Sequence, residues 1–341
     1  MSDDCQSPAS TAARSATKVL RRRRDALRML AGYALAGAAR PALAEAAPPT
    51  QVDAARPADA GSGPIVIVDD RGIEHRFADA PRRIVTMLPS LTETAWVLGA
   101  GARLVGVDRF SDWPDEIASL PRLGGLEDAH IEAIAALAPD VVLASTASRA
   151  MERLEALGFR IVRLKSETHA DLRRTLDLVA ALLGTPAAGA RAWARIEREI
   201  EAAARRVPPQ MLGQRVYFEI GGGPYAAGAS SFVGETIARL GLANIVEPQL
   251  GPFPKLNPEY VVRAKPDIIV GTRREQAALV RRPGWGALAA VREQRLCGFD
   301  TPQYDLLTRP GPRAGEAAAL LVDCLVELAE SERRRAPSSV R

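Results

Sequence analysis

The sequence predicts an α/β protein built from two similar lobes, each with a mainly parallel sheet, joined by one long connecting helix. Three observations predict it. First, one run occurs twice with the same spacing from Glu to Pro-Asp: E-A-I-A-A-L-A-P-D-V-V-L from Glu132 and E-Y-V-V-R-A-K-P-D-I-I-V from Glu259. An echo precedes each in the same order, E-T-A-W-V-L-G from Glu93 and E-T-I-A-R-L-G from Glu235. Two copies of roughly a hundred residues fit paired lobes, whereas a solenoid needs three or more short repeats. Second, short apolar strands alternate with helix-sized segments, the pattern of a parallel sheet covered on both faces. Third, a helical run from Thr185 to Arg206 lies between the two halves.

Taken in order, residues 1–44 have the anatomy of an export signal: a basic segment ending at Arg28, an apolar run from Met29 to Ala39, and Ala42-Leu43-Ala44 at a plausible cleavage point. The apolar run is too short to span a bilayer. Arg23-Arg24-Asp25-Ala26-Leu27-Arg28 resembles a twin-arginine pattern with Ala where Phe is usual; an ordinary secretory signal is the alternative. Either delivers the chain to the periplasm. Residues 45–63, rich in Ala and Pro, read as a flexible linker.

The N-terminal lobe is placed at 64–184. Ile65-Val-Ile-Val68 and Ile73 to Phe77 flank an Asp-Arg-Gly turn and predict a hairpin, with His75 a surface residue of its second arm. Strands follow at Ile84–Leu88, Leu104–Val107, Val141–Ala144 and Phe159–Leu164. Helices are expected at Thr92–Leu98, Met151–Leu157 and Thr168–Leu183, with Pro89 to Thr92 as a turn. The connecting helix, 185–207, carries Trp193, Ile196 and Ile200 on one side and ends at Pro208-Pro209.

The C-terminal lobe, 208–330, repeats the scheme. Strands are expected at Arg215–Glu219, near Ile245, at Ile268–Val270 and at Leu296–Phe299, with helices at Phe232–Leu240, Pro258–Ala264 and Gly315–Glu330. Residues 331–341 read as a disordered tail. Cys297 and Cys324 remain open between a disulfide and two buried thiols.

Composition excludes little beyond disorder: the 341 residues are 47% hydrophobic and 25% charged. Of the net charge of +4, the first 44 residues carry +5, leaving −1 for the rest. No nucleic-acid partner is therefore expected. No nucleophile–base pair, phosphate loop or zinc spacing appears, so no catalytic residue, metal site or resident cofactor is expected. His130, beside Glu127 and Asp128, is the one histidine placed to reach a ligand. A metal-chelatase-like enzyme is the rival from another class.

Ligands in open parallel sheets bind beyond the carboxyl ends of the strands. The segments there hold Phe110, Trp113, Tyr225, Phe253 and Tyr304, although aromatics are only 5% of the chain. A wide, flat, partly apolar ligand held between lobes accounts for that placement. Glu132 and Glu259 sit at helix starts, where a carboxylate is favoured by about 0.3–1 kcal/mol. Their recurrence on both lobes suggests a pair that grips basic groups on a two-fold partner.

R-I-V-T-M-L-P-S-L-T-E-T, V-G-V-D-R-F-S-D-W-P, I-E-A-I-A-A-L-A-P-D-V-V-L and R-P-G-P-R together resemble the periplasmic binding proteins of ABC importers for cobalamin, haem and ferric siderophores. The resemblance runs from about Ile65 to Glu330 and implies a class III periplasmic binding protein-like architecture with a ligand cleft, a rigid joining helix and little hinge motion. Within the family the chain is most similar to the cobalamin binders. That resemblance implies that Phe110, Tyr225 and Phe253 contact the corrin, with Pro89, Ser90, Leu91, Thr92 and Arg309 nearby. Leu126 stands where the cobalamin binder stacks a Trp. Glu132 and Glu259 match the acids that dock onto arginines of the dimeric permease. The expected partners are thus a corrinoid and an ABC importer permease dimer, with the chain itself a monomer. Haem or a ferric siderophore is the alternative cargo.

Overall fold

The computed structural model describes residues 64–335, all within one compact unit. The expected export signal, linker and last six residues of the tail lie outside the described residues.

The hairpin is present as β1 (Ile65–Val68) and β2 (Glu74–Phe77), antiparallel and, among the described residues, paired only with each other. Its turn is locked to the first lobe by ions. The Asp69 carboxylate accepts from the Arg71 guanidinium, the Arg163 N–H and the Ile73 N–H. His75 is not the surface residue expected from sequence, because its Nε2 lies 3.2 Å from the same carboxylate. Burial would lift Asp69, but these hydrogen bonds overcome it and hold the carboxyl at about 2. Arg174 adds a pair with Asp70.

The first lobe contains β3 (Ile84–Thr86), α1 (Pro89–Ala95), β4 (Leu104–Val107), α2 (Ile131–Ala136), β5 (Val141–Ser145), α3 (Met151–Ala156), β6 (Ile161–Leu164) and α4 (His169–Leu182). Its four strands are all parallel, in the order β4-β3-β5-β6. Every residue of β3, β5 and β6 is buried, as strands covered on both faces require. Thr168 and Asp171 form a reciprocal capping box that starts α4. One boundary differs from expectation: Pro89 to Thr92 is the first turn of α1 rather than a turn before it. Pro89 at the helix start supplies the reason, since its ring presets φ and its missing N–H is not needed there.

Helix α5 (Pro186–Ala204) joins the halves. Ala192, Trp193, Ile196, Ile200 and Ala203 recur at helical spacing along its buried stripe. It packs on α4 and on the final helix, α11 (Ala314–Arg335).

The second lobe runs through β7 (Arg215–Ile220), β8 (Tyr225–Ala226), α6 (Phe232–Arg239), β9 (Ala243–Asn244), α7 (Pro258–Ala264), β10 (Ile268–Thr272), α8 (Arg273–Gln276), α9 (Ala289–Arg292), β11 (Leu296–Phe299) and α10 (Thr301–Thr308), then α11. Strands β9, β7, β10 and β11 lie parallel in that order, with β8 folded back antiparallel on β7. In each lobe the parallel strands therefore stand in the order second, first, third, fourth. The repeated sequence runs occupy matching places, in α1 and α6 and in α2 and α7. The duplication read from the sequence is a duplication of topology.

Two further expectations are corrected. Tyr304, expected in a segment beyond the strand ends, stands in helix α10, which Asp300 and Gln303 start with a capping box across Pro302. Residues 331–335 continue α11, so the helix outruns the expected tail boundary. The open question about the cysteines is closed: Cys297 in β11 and Cys324 in α11 form a disulfide, with Cα atoms 5.8 Å apart.

Candidate functional site

Each sheet reverses its order between its first and third strands, and the segment after β3 faces the start of α6, Phe253 and the end of α10 between the lobes. A crevice forms at such a reversal because neighbouring connections leave in opposite directions. A cavity of about 300 Å³ lies there, lined by Leu88, Pro89 and Ser90 of the first lobe, Ser166, and Phe232, Phe253, Thr308, Arg309 and Pro310 of the second. Its volume is at the lower end of small-molecule sites.

Of the residues predicted for the site, Pro89, Ser90, Phe253 and Arg309 line this cavity. The Ser90 hydroxyl is buried there with no hydrogen-bond partner among the described residues. A buried hydroxyl left unpaired costs about 1–3 kcal/mol, which a ligand or water contact would recover. Phe110 stands on the connection after β4 and Tyr225 at the start of β8, and they are 60% and 48% exposed. An aromatic side chain left that open is available for stacking. Phe253 is held from behind by Phe232, their ring centroids 6.0 Å apart.

Other predicted residues turn away. Leu91 packs into the hydrophobic core of the first lobe. Thr92 is 0% exposed, and its Oγ1 lies 2.7 Å from both Thr86 Oγ1 and Ser111 Oγ. Helical spacing explains both: with Pro89 at the start of α1, positions 91 and 92 face the sheet. Tyr304 is also buried in place of lining a loop. Its hydroxyl donates to the Glu219 carbonyl at 2.7 Å and accepts from the Gly221 N–H at 3.0 Å. It buttresses the Gly221–Gly223 loop, whose three residues all have positive φ, a backbone only glycine adopts freely. A Cβ on Gly222 would lie 2.1 Å from the Glu275 carboxylate. Trp113 is half-buried, with the Arg313 guanidinium 4.7 Å from its ring centroid. Leu126 is half-buried and its carbonyl accepts from Ser148 Oγ.

Arg309 is surrounded by acceptors. Its Nη1 donates to Glu93 at 3.2 Å and to Asp112, while Nη2 donates to Asp112, Asp305 and the Phe110 carbonyl. Burial pushes the Glu93 carboxyl up, against the pull of Arg309 and Arg313. For the more open Asp112, burial also acts upward but Arg309 wins and lowers it. Asp108, buried beneath the same loop, is raised by its burial. Sequence reasoning missed the Glu93 to Arg309 pairing, and it missed Phe232 and Ser166 as lining residues. The signal for Glu93 was available in the repeated Glu-Thr pair.

Glu132 and Glu259 occupy the first turns of α2 and α7. Glu132 has a side chain 86% exposed, with Arg153 no closer than 3.9 Å. Glu259 is likewise exposed, on a turn capped by Asn257. His130 is exposed at the start of α2 and makes no capping bond, while Asp128 is paired with Arg109. Among the described residues no group of three or more His, Cys, Asp or Glu is arranged to hold a metal, and no helix is long and apolar enough to cross a membrane.

Residues 84–302 match the family model described as periplasmic binding protein. The chain is 26% identical over 280 residues to an uncharacterized ABC transporter substrate-binding lipoprotein of Bacillus subtilis, covering 79% of this chain and 85% of that one. It is 27% identical over 270 residues to the vitamin B12-binding protein of Pectobacterium atrosepticum, covering 76% and 92%. The solved periplasmic heme-binding protein RhuT of Roseiflexus superposes with a TM-score of 0.63 at 27% identity, covering 73% of this chain and 99% of that one. With two α/β lobes, a cleft at their sheet ends and a family match spanning most of both lobes, the chain belongs to the periplasmic binding proteins, the substrate-binding components of ABC importers.

Proposed function

We propose that the protein captures a corrinoid of the cobalamin type in the periplasm and presents it to an ABC importer. The observation that carries this reading is the charge of the cleft. Arg309 is the one charged residue lining the cavity among the described residues, and it already faces Glu93, Asp112 and Asp305. A ligand whose rim carries carboxylates would bring more negative charge to an arginine that three acids have matched. A corrinoid, whose rim is of neutral amides, meets no such repulsion. Exposed Phe110 and Tyr225 offer faces for its flat ring, and the relative in Pectobacterium is named for vitamin B12. The affinity would come from a preformed cleft rather than from area.

Haem is the second reading. It is favoured by Tyr225, an exposed phenol whose hydroxyl has no hydrogen bond to another described residue. The Roseiflexus protein keeps that reading in play. Titration of the purified protein with cyanocobalamin and with haemin, followed by calorimetry and the visible spectrum, separates the two. The corrinoid reading expects a saturable heat with cyanocobalamin and a much weaker one with haemin; the reverse order would transfer the function to haem.

Delivery would use Glu132 and Glu259, one exposed acid on each lobe, against basic groups of a two-fold permease. The Cys297–Cys324 disulfide supports an oxidising compartment, in keeping with export by a twin-arginine or secretory signal.

A further inference from the structure

We infer that Arg309, in the wall of the cavity, is the positioning residue of the cleft. It reaches from the second lobe to hold the first-lobe loop that presents Phe110 and Trp113. The inference deepens the binding reading above and rests on it.

The backbone of Phe110 is gripped from both sides. Its N–H donates to Asp108 Oδ1 at 2.8 Å within the first lobe, and its carbonyl accepts from Arg309 Nη2 at 3.3 Å across the cleft. Asp108 is fixed in turn by Ser111, which bonds Thr92, which bonds Thr86, a chain of buried hydroxyls running down to the sheet. Two residues on, Asp112 takes both terminal nitrogens of Arg309, and Arg313 lies over the Trp113 ring. Both Arg309 terminal nitrogens thus end on protein acceptors. The Phe110 side chain, by contrast, stays 60% exposed, with the Arg109 guanidinium 5.3 Å from its ring centroid.

The turn that carries Arg309 fits closely onto α1. A Cβ on Gly311 would stand 3.1 Å from the Glu93 carboxylate, closer than a methyl group is comfortably held, and would touch Ser90 Cα in ordinary contact at 3.5 Å. Elsewhere along the boundary the second repeated Glu makes the reciprocal contact. Glu235 of α6 accepts from the His169 N–H, Thr236 Oγ1 lies 3.0 Å from His169 Nε2, and the Phe232 N–H donates to the Glu167 carbonyl. Both Glu-Thr echoes of the sequence therefore tie one lobe to the other. The aperture between Phe110 and Phe253 is set by the protein before any ligand arrives.

The test uses the full chain with Cys5→Ser and spin labels at Glu116→Cys and Leu250→Cys, exposed sites on opposite lobes. Ligand-free distance distributions and cyanocobalamin affinity are measured for this protein and for added Arg309→Met, Asp112→Asn and Phe110→Ala. Asp112→Asn keeps Glu93 paired, so it reads out the loop even where Arg309→Met folds poorly. Positioning predicts a broadened distribution in both the Arg309 and Asp112 variants, with affinity lowered at least tenfold and threefold. Phe110→Ala should lose affinity while keeping the narrow distribution. Narrow distributions in both Arg309→Met and Asp112→Asn overturn the inference; an accompanying loss of affinity would make Arg309 a ligand contact. Wild-type affinity in Phe110→Ala overturns the binding reading instead, and the distances tell the two failures apart.

Discussion

Arg309 and Glu93 are 216 positions apart in the chain, yet their side chains meet at 3.2 Å across the boundary between the lobes. The arginine is 13% exposed and the glutamate 2%. Removing one partner of so buried a pair strands the other, a change that costs about 3–5 kcal/mol. Arg309→Ala should lower stability by that order in urea melts. Glu93→Gln should cost much less, because Arg309 keeps Asp112 and Asp305 and the amide removes a carboxylate that burial disfavours.

His169 gives the protein a predictable acid limit. Burial holds its imidazole down at about 4, with Arg239 adding to the effect. The unfolded chain takes up a proton near the ordinary value of about 6.5, so as pH falls from there the unfolded state gains protons the folded state refuses. Stability is therefore full at neutral pH and is lost progressively between about 6.5 and 4. The loss should reach about 2–3 kcal/mol at pH 4.5 from this group. Denaturant melts at pH 7 and pH 4.5 should show it in the wild type and much less of it in His169→Gln.

The Cys297–Cys324 bond closes a segment 27 residues long between β11 and α11. Constraint of the unfolded chain over that length stabilises by about 3–4 kcal/mol. Melting under strong reductant should fall accordingly, and Cys324→Ala should lose the dependence on reductant altogether.

Tyr304→Phe separates support from contact. Losing the hydroxyl unpairs the Glu219 carbonyl and the Gly221 N–H, so stability should drop by about 1–3 kcal/mol. Tyr225→Ala, at an exposed position, should leave the melting temperature in place and weaken ligand binding about tenfold or more. A Tyr225 variant that binds as the wild type would remove that residue from the site.

Simultaneous Glu132→Arg and Glu259→Arg should abolish stimulation of the importer's ATP hydrolysis in reconstituted vesicles while ligand affinity holds. Loss of affinity would instead place the two acids in folding or in the pocket.

The lobes were legible in sequence because repetition, strand–helix alternation and the apolar stripe of α5 are local patterns. The boundaries of α7 and β11 follow from Asn257-Pro258 and from a four-residue apolar run. Helix α10 was hidden because Thr-Pro-Gln-Tyr resembles loop composition until Asp300 and Gln303 are seen to cap each other. The site was legible in part. Pro89, Ser90 and Phe253 reach the cavity as their motif implies, whereas Leu91 and Thr92 sit one and two positions further round the same helix and face the core. What joins the two lobes depends on contacts between residues 66 to 216 positions apart. The Asp305–Arg309 pair is local, four positions along the chain, but no local pattern encodes that Glu93 and Asp112 of the other lobe meet the same guanidinium.

Anomalous diffraction at the cobalt edge from crystals grown with cyanocobalamin tests corrinoid capture directly. One cobalt peak is expected between the lobes, bounded by Phe110 and Pro89 on one side and Tyr225 and Phe253 on the other. A cleft without cobalt in crystals that hold it elsewhere, or hold none at saturating ligand, would contradict corrinoid capture.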